Sequence, residues 1–361
     1  MESKKTKNYI YIILLCVFLL LCIVVSASVG SASITPLDSF KLLLDKIPMV
    51  NRVVDITDIK EVYKVIIWKV RLPRIMQASL VGGGLAVVGC TFQAIFRNSL
   101  ADPHILGISS GASLGATLAI LSGLSLNFLG IGVTSIFAFM GAILAVLLVY
   151  KVGGLGGKMI TTNLLLTGTA IGTMLSSFIS LLMIYNREEL EKVYLWTLGS
   201  FSSANWSKVS FLFVVSIVSV STLLVFSRDL NVILTGDEVA SSLGIDTVKL
   251  KNILILVCAI LVAGSVAVSG TIGFVGLIIP HCMRLIVGSD HKILLPVSYF
   301  GGAMFMIICD TLARTIAAPT EIPVGVITAV FGAPYFIYLL YRNSKNGKFW
   351  GGLDEWKYLI N

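Results

Sequence analysis

The chain has 361 residues, of which 56% are hydrophobic and 13% are charged, and its formal net charge is +8. Soluble domains carry about 25% charged residues, and repeated apolar runs of about 20 residues indicate membrane-spanning helices. The composition therefore excludes a soluble globular enzyme and predicts an all-α polytopic membrane protein, folded as one transmembrane domain over residues 1–361. The positive charges are spread over loops and tails, so they indicate membrane topology and not nucleic-acid binding.

The first predicted element is a transmembrane helix at the N-terminus. Three lysines in the first seven residues precede an uncharged run from Tyr9 to beyond Val29. A cleaved signal peptide is the alternative, because small residues follow at 26–28. Its apolar core normally has about 7–15 residues, so a retained helix with its N-terminus inside is favoured.

Nine further apolar runs follow the first helix. They predict membrane crossings over residues 74–96, 105–121, 128–150, 161–185, 208–226, 253–269, 271–287, 294–316 and 324–341. The run at 271–287 is short and contains Pro280, which indicates a half-length crossing. About ten transmembrane helices place both termini in the cytoplasm, as the flanking lysines indicate. The polar segments between them include an outer loop at 35–70, a basic inner loop at 151–158 and a cytoplasmic tail at 343–361.

Two apolar segments share a spacing of small residues. Residues 81–89 read VGGGLAVVG and residues 262–270 read VAGSVAVSG. The first lies in a helix that enters from outside, and the second in one that leaves from inside. This arrangement predicts an inverted internal repeat, which is common in transporters. A chance match between two helices rich in glycine and valine is the alternative.

The clearest polar segment of the second half covers residues 231–252. Within it, residues 237–243 are compatible with a short helix, and Gly244 follows as a predicted C-cap. A short helix, a glycine stop and a second amphipathic stretch predict a structured cytoplasmic loop. Composition alone leaves two interpretations open: a docking element for a separate ATP-hydrolysing subunit, or an ordinary interhelical loop.

No pattern in the chain predicts a catalytic, cofactor or metal site. The glycines at 151–158 lack the P-loop spacing, because Met159 follows Lys158. The three histidines, His104, His281 and His291, are far apart in sequence and favour structural or interfacial roles. The six cysteines lie in apolar runs and indicate neither disulfides nor a metal cluster.

Ionisable residues within the predicted crossings are few. Asp310 and Arg314 are spaced to pair near the outer end of the ninth helix. No carboxylate occupies the centre of helices one to seven, although such groups typically mark ion-coupled carriers. The energy for transport is therefore expected from outside the chain.

Several motifs, in order, resemble one family of membrane proteins. They are RLPR at 71–74, QAIFRNSLADPHILGISSGASLG at 93–115, GDEVASSLGI at 236–245, GTIGFVGLIIPHCMRLIVGSDHKILLP at 270–296, and DTLAR with EIPVGVITAVFGAPYFIYLL near the end. The chain resembles the FecCD-type permeases of ABC importers for iron chelates, haem and cobalamin. The resemblance covers about three quarters of the chain.

The resemblance implies partners and site residues. The implied partners are a second permease subunit, a cytoplasmic ABC ATPase dimer and an extracytoplasmic solute-binding protein, in a plasma membrane whose lipid surrounds the permease. The implied ATPase-coupling residues are Gly236, Asp237, Glu238, Ala240, Leu243 and Gly244. The implied docking residues for the binding protein are Arg71, Arg74 and Arg314, which could instead be interfacial charges that reach lipid headgroups.

The family's fifth and tenth helices line its transport path. The fifth helix of this chain has no charge in its membrane run. It is rich in threonine, glycine and serine, and its predicted path residues are Thr161, Thr162, Thr167, Gly168, Gly172, Ser176 and Ser177. The metal in a chelate already has its ligands, so a smooth and weakly polar wall is sufficient along the path. A bare cation would need carboxylate or carbonyl ligands there. The predicted function is the permease subunit of an ATP-driven importer of an iron chelate, a siderophore or haem. The alternatives are a cobalamin permease of the same family, a stand-alone secondary transporter and, more distantly, a polytopic lipid enzyme.

Overall fold

The computed structural model describes residues 2–30, 32, 34–46, 55–124, 127–128, 130–154 and 161–345. Parts of three predicted segments lie outside these residues: the outer loop at 35–70, the basic loop at 151–158 and the tail at 343–361.

α-Helices form most of the described chain. In order they are α1 (Glu2–Ser28), α2 (Pro36–Leu44), α3 (Glu61–Val65), α4 (Leu72–Ile95), α5 (Ile108–Leu121), α6 (Val133–Gly153), α7 (Thr161–Tyr185), α8 (Leu190–Thr197), α9 (Trp206–Val225), α10 (Ser227–Ile233), α11 (Asp237–Ser242), α12 (Thr247–Ser269), α13 (Val275–Val287), α14 (His291–Ala313) and α15 (Val324–Lys345). A π-helical stretch, Ile66–Arg71, joins α3 to α4, and a 3-10 turn, Arg187–Glu189, precedes α8. Strands β1 (Asn127–Phe128) and β2 (Ile131–Gly132) form an antiparallel hairpin before α6.

The apolar helices agree with the predicted number of crossings. Seven stretches of the described chain are long and apolar enough to span a bilayer, and they lie in α1, α3–α4, α6, α7, α9, α12 and α14. Three shorter apolar helices, α5, α13 and α15, bring the number to ten. The prediction of an all-α polytopic protein is confirmed, and α13, with 13 residues, is the predicted half-length element.

The second predicted helix begins earlier than the sequence indicated. The expected start was residue 74, but a continuous helical stretch runs from Glu61 to Ile95. The basic residues of this stretch suggested a loop. However, Ile67 is fully buried and packs with Ile34, Leu42 and Ile59 in a small cluster beside the main core. The outer segment therefore has its own apolar core, and that core stabilises the helical extension.

Helix α4 is the centre of the core. Every one of its residues except Met76 is buried, and the helix packs against α12, α13 and α14. Small residues allow this close packing, as they commonly do between membrane helices. A Cβ added at Gly82 would collide with the carbonyl oxygen of Gly302 in α14, and one at Gly89 would collide with that of Gly276 in α13.

The predicted internal repeat has a structural counterpart. In each half a long buried helix leads, through a residue with left-handed backbone, into a short helix and then a longer one. The halves are α4, α5 and α6, and then α12, α13 and α14. The left-handed residues are Gly107 and Phe274, both with φ of 71°. This shared order supports two related halves.

A glycine comparison within α4 tests the close packing. We expect Gly82→Ala to destabilise the protein by about 1–3 kcal/mol, because the methyl group meets rigid backbone. Gly84→Ala is the matched control, since its Cβ would lie 3.3 Å from a methyl group of the Leu261 side chain and not against backbone. Thermal unfolding in detergent measures both. Equal stability of the two variants would contradict the packing assignment.

Candidate functional site

The polar segment forms three short elements in the described structure: α10, α11 and the first turn of α12. Helix α11 begins after Gly236, whose φ is 123°, and a chain reversal at Gly244, with φ of 84°, follows it. The backbone N–H of Gly244 donates to Ser241 and that of Ile245 donates to Ala240. The predicted short helix with a glycine stop is confirmed, one residue shorter than expected.

Asp237 fixes the start of α11. Its carboxylate pairs with Arg97 at 2.9 Å and with Lys251 at 2.7 Å. Arg97 follows the end of α4, and Lys251 lies in α12. Asp237 therefore joins α11 to one helix of each half of the chain.

The two sides of α11 differ in exposure. Ala240 is fully buried and anchors the helix, whereas Glu238 is exposed. Val239 and Leu243 are 47% and 66% exposed, and their i, i+4 spacing places them on one side of the helix. We call Val239 and Leu243 the α11 patch. These two exposed apolar side chains make this side of α11 a candidate interaction surface.

A second polar junction connects α10 to α14. The side-chain carbonyl of Asn231 accepts from the backbone N–H of His291 at 3.0 Å and from its Nδ1 at 2.7 Å. The Asn231 amide donates to Asp290 at 2.8 Å. A displacement of α10 would therefore act directly on the N-terminus of α14. The sequence did not reveal this junction, because its members are about 60 residues apart.

The three predicted docking arginines lie close to one another at the predicted outer ends of α1, α4 and α14, and we call them the arginine cluster. Arg74 donates to both oxygens of the buried Asp310 at 3.0 Å and to Glu321 at 2.8 Å. Arg314 lies 3.8 Å from Asp310, the pair that the sequence predicted. The Arg314 side chain is 7% exposed, and its guanidinium carries a full charge at neutral pH.

Arg71 and Arg314 also bind the end of α1. Arg71 donates to the carbonyl oxygens of Ala27, Ser28 and Ala32 at 2.6–2.9 Å. Arg314 donates to the carbonyls of Ser26 and Val29. The last carbonyls of a helix lack intrahelical partners, and here the guanidinium groups satisfy them. Direct docking of a binding protein by these arginines stays a prediction, and the structure adds that each already has internal acceptors.

The predicted path residues of α7 lie in different environments. Gly168 and Gly172 are buried at the contact with the loop before α5, where a Cβ at Gly168 would collide with the carbonyl of Ile105. Thr167 is half-buried, and Ser176 and Ser177 are exposed. The side chains of Thr161 and Thr162 lie outside the described residues. Among the seven, only Ser176 lines a described cavity.

Two adjoining cavities follow α7 and α15. The first, of about 460 Å³, is lined by hydroxyl-bearing residues of α5 together with Ser176 and His104. The second, of about 670 Å³, is lined by small and apolar residues of α15, including Gly325, Ala329 and Ala333. Thr197, Thr271 and Gly273 line both cavities. The fifth and tenth predicted helices therefore border one continuous, weakly polar region.

His104 also lines this region, although its sequence context predicted only a structural or interfacial role. Its Nε2 lies 2.8 Å from the carbonyl oxygen of Ile272, and its Nδ1 contacts the hydroxyl of Ser109. A carbonyl can only accept, so Nε2 carries the proton and Nδ1 accepts from Ser109. His104 thus joins the loop before α5 to the loop before α13. The described residues contain no group of three or more His, Cys, Asp or Glu residues that could hold a metal ion.

Similarities in sequence and in structure relate this chain to known proteins. The sequence profile of the FecCD transport family matches residues 18–342. The chain is 42% identical over 282 residues to the cobalamin import system permease protein BtuC of Halobacterium salinarum, covering 78% of this chain and 75% of that protein. It is 38% identical over 349 residues to the Fe(3+)-citrate import system permease protein YfmD of Bacillus subtilis, covering 96% and 98%. A solved metal-chelate type ABC transporter in an inward-facing conformation has a TM-score of 0.79 and 34% identity, covering 92% of this chain and 98% of that one.

Proposed function

The chain belongs to the FecCD transport family and is a multi-pass ABC importer permease, and from this premise we propose that it carries an iron chelate, a siderophore or haem, across the plasma membrane. Both termini lie in the cytoplasm in this proposal. The ATP-driven part of this proposal rests on the α11 patch, two exposed apolar side chains on a polar helix that the buried Ala240 anchors. The observation that supports a chelate is the weakly polar region between α7 and α15.

The α11 patch docks a cytoplasmic ATPase subunit in the proposed mechanism. ATP binding draws two ATPases together, and each pulls the α11 of its permease. Asp237 transmits the movement to Arg97 after α4 and to Lys251 in α12, and Asn231 transmits it to α14. A ligand shifts a conformational equilibrium only through its different affinities for the two states, so the ATPases must bind one permease state more tightly.

A second permease subunit completes the transport path. The cavities beside α7 and α15 are open on one side, and large apolar residues on these two helices are exposed, among them Phe178, Ile184 and Phe331. An opposing copy of α7 and α15 would cover this surface and enclose the solute between two subunits. The assembly is then a homodimer of permeases or a pair with a close relative.

A solute-binding protein docks on the opposite face. The arginine cluster has three positive groups, and its internal carboxylates, Asp310 and Glu321, supply two negative charges. One positive charge is left over, which suits an acidic surface on the binding protein. Charges near the rim of an interface mainly set the association rate and its salt dependence.

Removal of one positive charge tests this docking role. We expect Arg314→Gln, which loses the charge but keeps an N–H donor for the carbonyls of α1, to slow association of the binding protein by about tenfold or more at low salt and to reduce stimulated ATPase activity. Basal ATPase activity should stay close to wild type. Lys69→Gln is the control, because Lys69 is exposed on the same predicted face but outside the arginine cluster. Equal loss of basal and stimulated activity would instead indicate misfolding.

The chelate is tested by uptake in cells that lack this gene. Labelled ferric citrate, a ferric hydroxamate, haem and cobalamin are compared with free ferrous iron and manganese. We expect uptake of one iron chelate to fall to background and to return with the wild-type gene. Loss of cobalamin uptake alone would favour the alternative suggested by the cobalamin relative. Loss of free metal uptake alone would exclude the chelate proposal, and transport without any copurifying ATPase would favour a stand-alone secondary transporter.

A further inference from the structure

A third cavity, separate from the proposed path, contains a buried lysine. It has a volume of about 510 Å³ and lies among the predicted outer ends of α5, α6, α9 and α12, beside the loop that follows α8. Lys208, in the first turn of α9, lines this cavity and is only 8% exposed. We call this space the Lys208 cavity.

The ammonium group of Lys208 has only neutral partners among the described residues. Its Nζ donates to the carbonyl oxygen of Ser203 at 3.1 Å and to the Ser203 hydroxyl at 2.7 Å. No described carboxylate lies within 4.0 Å of it. A buried charge without an opposite charge is costly, and the third N–H of the ammonium is left to donate.

The position of Lys208 increases that cost. It lies at the N-terminal end of α9, where the aligned peptide dipoles already favour negative charge. Asn205 caps this end, and its side chain accepts from the backbone N–H of Lys208 at 2.9 Å. An anion in the cavity would therefore be attracted by both the ammonium and the helix end.

Two hydroxyls extend the set of donors. Ser203 accepts from Lys208, so its own proton is available to donate. Ser202 accepts from Ser200 at 3.1 Å, and its proton has no acceptor among the described residues. Both serines line the cavity. The cavity thus offers three hydrogen-bond donors: the charged ammonium of Lys208 and the two serine hydroxyls. This set matches an anion with several oxygens better than a planar carboxylate with two.

The other residues that line the Lys208 cavity restrict which anions can bind there. Two further charged residues line the cavity, and both are paired: Lys192 with Glu189 at 2.8 Å, and Glu321 with Arg74 at 2.8 Å. The Glu321 carboxylate opposes an anion, although Arg74 offsets its charge. Ile120, Leu195 and Val268 make part of the wall apolar. The space therefore suits an oxyanion that stands alone or carries an apolar group.

We infer that the Lys208 cavity binds a phosphate oxyanion, supplied by free phosphate or by an anionic phospholipid headgroup. Lys208 provides the charge, and Ser202 and Ser203 provide hydroxyl donors. This site does not depend on which solute the permease carries, because it lies outside the cavities of the proposed path.

The test uses the full-length permease in nanodiscs of phosphatidylcholine alone or mixed with phosphatidylglycerol. Equilibrium dialysis with labelled inorganic phosphate measures binding, and thermal unfolding measures stabilisation by the lipid. We expect wild type to bind phosphate or to gain stability from phosphatidylglycerol, and Lys208→Met to weaken that response by about tenfold or more. Binding of free phosphate in phosphatidylcholine alone identifies the free anion, whereas stabilisation only by phosphatidylglycerol identifies the lipid.

Matched variants separate the site from general effects of charge. Lys192→Met removes an exposed lysine from the same wall and should leave the response unchanged, and Lys208→Arg should preserve most of it. If Lys208→Met does not accumulate, the double variant Ser202→Ala, Ser203→Ala removes two donors while the lysine stays, and should also weaken the response. An unchanged response in Lys208→Met or in the double serine variant, or no response of wild type to either source, would overturn the inference.

Discussion

Leu243→Asp should abolish uptake while the permease stays in the membrane at wild-type levels. Leu243 is 66% exposed and Val239, one turn earlier, is 47% exposed, so neither contributes much to the fold. A carboxylate there would be desolvated against the apolar surface of a docked ATPase. Loss of a hot-spot contact at the centre of an interface costs about 2 kcal/mol or more, and we place Leu243 at such a position, which corresponds to roughly 30-fold weaker docking. Copurification of the ATPase and uptake of labelled solute measure the two effects.

Ser241→Asp is the matched control for this prediction. Ser241 is exposed on α11, and its spacing of two residues from both Val239 and Leu243 places it on the other side of the helix. The same added charge there should leave docking nearly unchanged. Glu238→Arg should also prevent uptake if Glu238 faces a basic group of the ATPase. Gly244→Trp should prevent it as well, although part of that loss would come from strain, because Gly244 has a φ of 84°. Normal uptake in the Leu243 and Glu238 variants would show that α11 is not the coupling element.

The helical architecture could be read from the sequence because each crossing is a long apolar run. The end of α7 was predicted to the residue, and the bounds of α9 were predicted within two residues. The start of the second crossing was missed, because its polar and basic residues resemble a loop. Only tertiary packing of Ile67 against the outer segment explains why this stretch is helical. The composition of a short segment gives no information about its packing against distant residues.

The parts of the candidate site that lie within one short segment could be predicted from the sequence. The parts formed by residues that are distant in sequence were harder to predict. The α11 helix and its glycine stop follow from ten consecutive residues. The arginine cluster was recognised only through resemblance, and nothing in the sequence showed that Arg71 binds carbonyls at the end of α1. The junctions of Asn231 with His291 and of His104 with Ile272 join residues 60 and 168 positions apart. Such pairs are invisible to spacing rules, which act over a few residues.

The buried centre of the arginine cluster supports a prediction about stability. Asp310 is 1% exposed and accepts three hydrogen bonds from Arg74 at 2.9–3.0 Å. Removing one member of a buried ion pair leaves the other charge without compensation, which typically costs about 3–5 kcal/mol. Asp310→Asn should therefore lower the thermal midpoint of the purified permease strongly, and it should loosen the contact of Arg314 with α1.

Two further variants show whether charge pairing, and not lost packing, causes this effect. Glu321→Gln removes the other carboxylate partner of Arg74, but that side chain is 41% exposed, so its loss should cost only about 0–1 kcal/mol. The double variant Arg74→Met, Asp310→Leu removes both members of this pair, while Arg314 keeps its carbonyl acceptors at the end of α1. It should recover part of the stability lost in Asp310→Asn, because an apolar pair can replace a buried ion pair at little cost. Thermal unfolding in one detergent ranks the variants. If the double variant is as unstable as Asp310→Asn, the buried pair acts through shape and not through its charges.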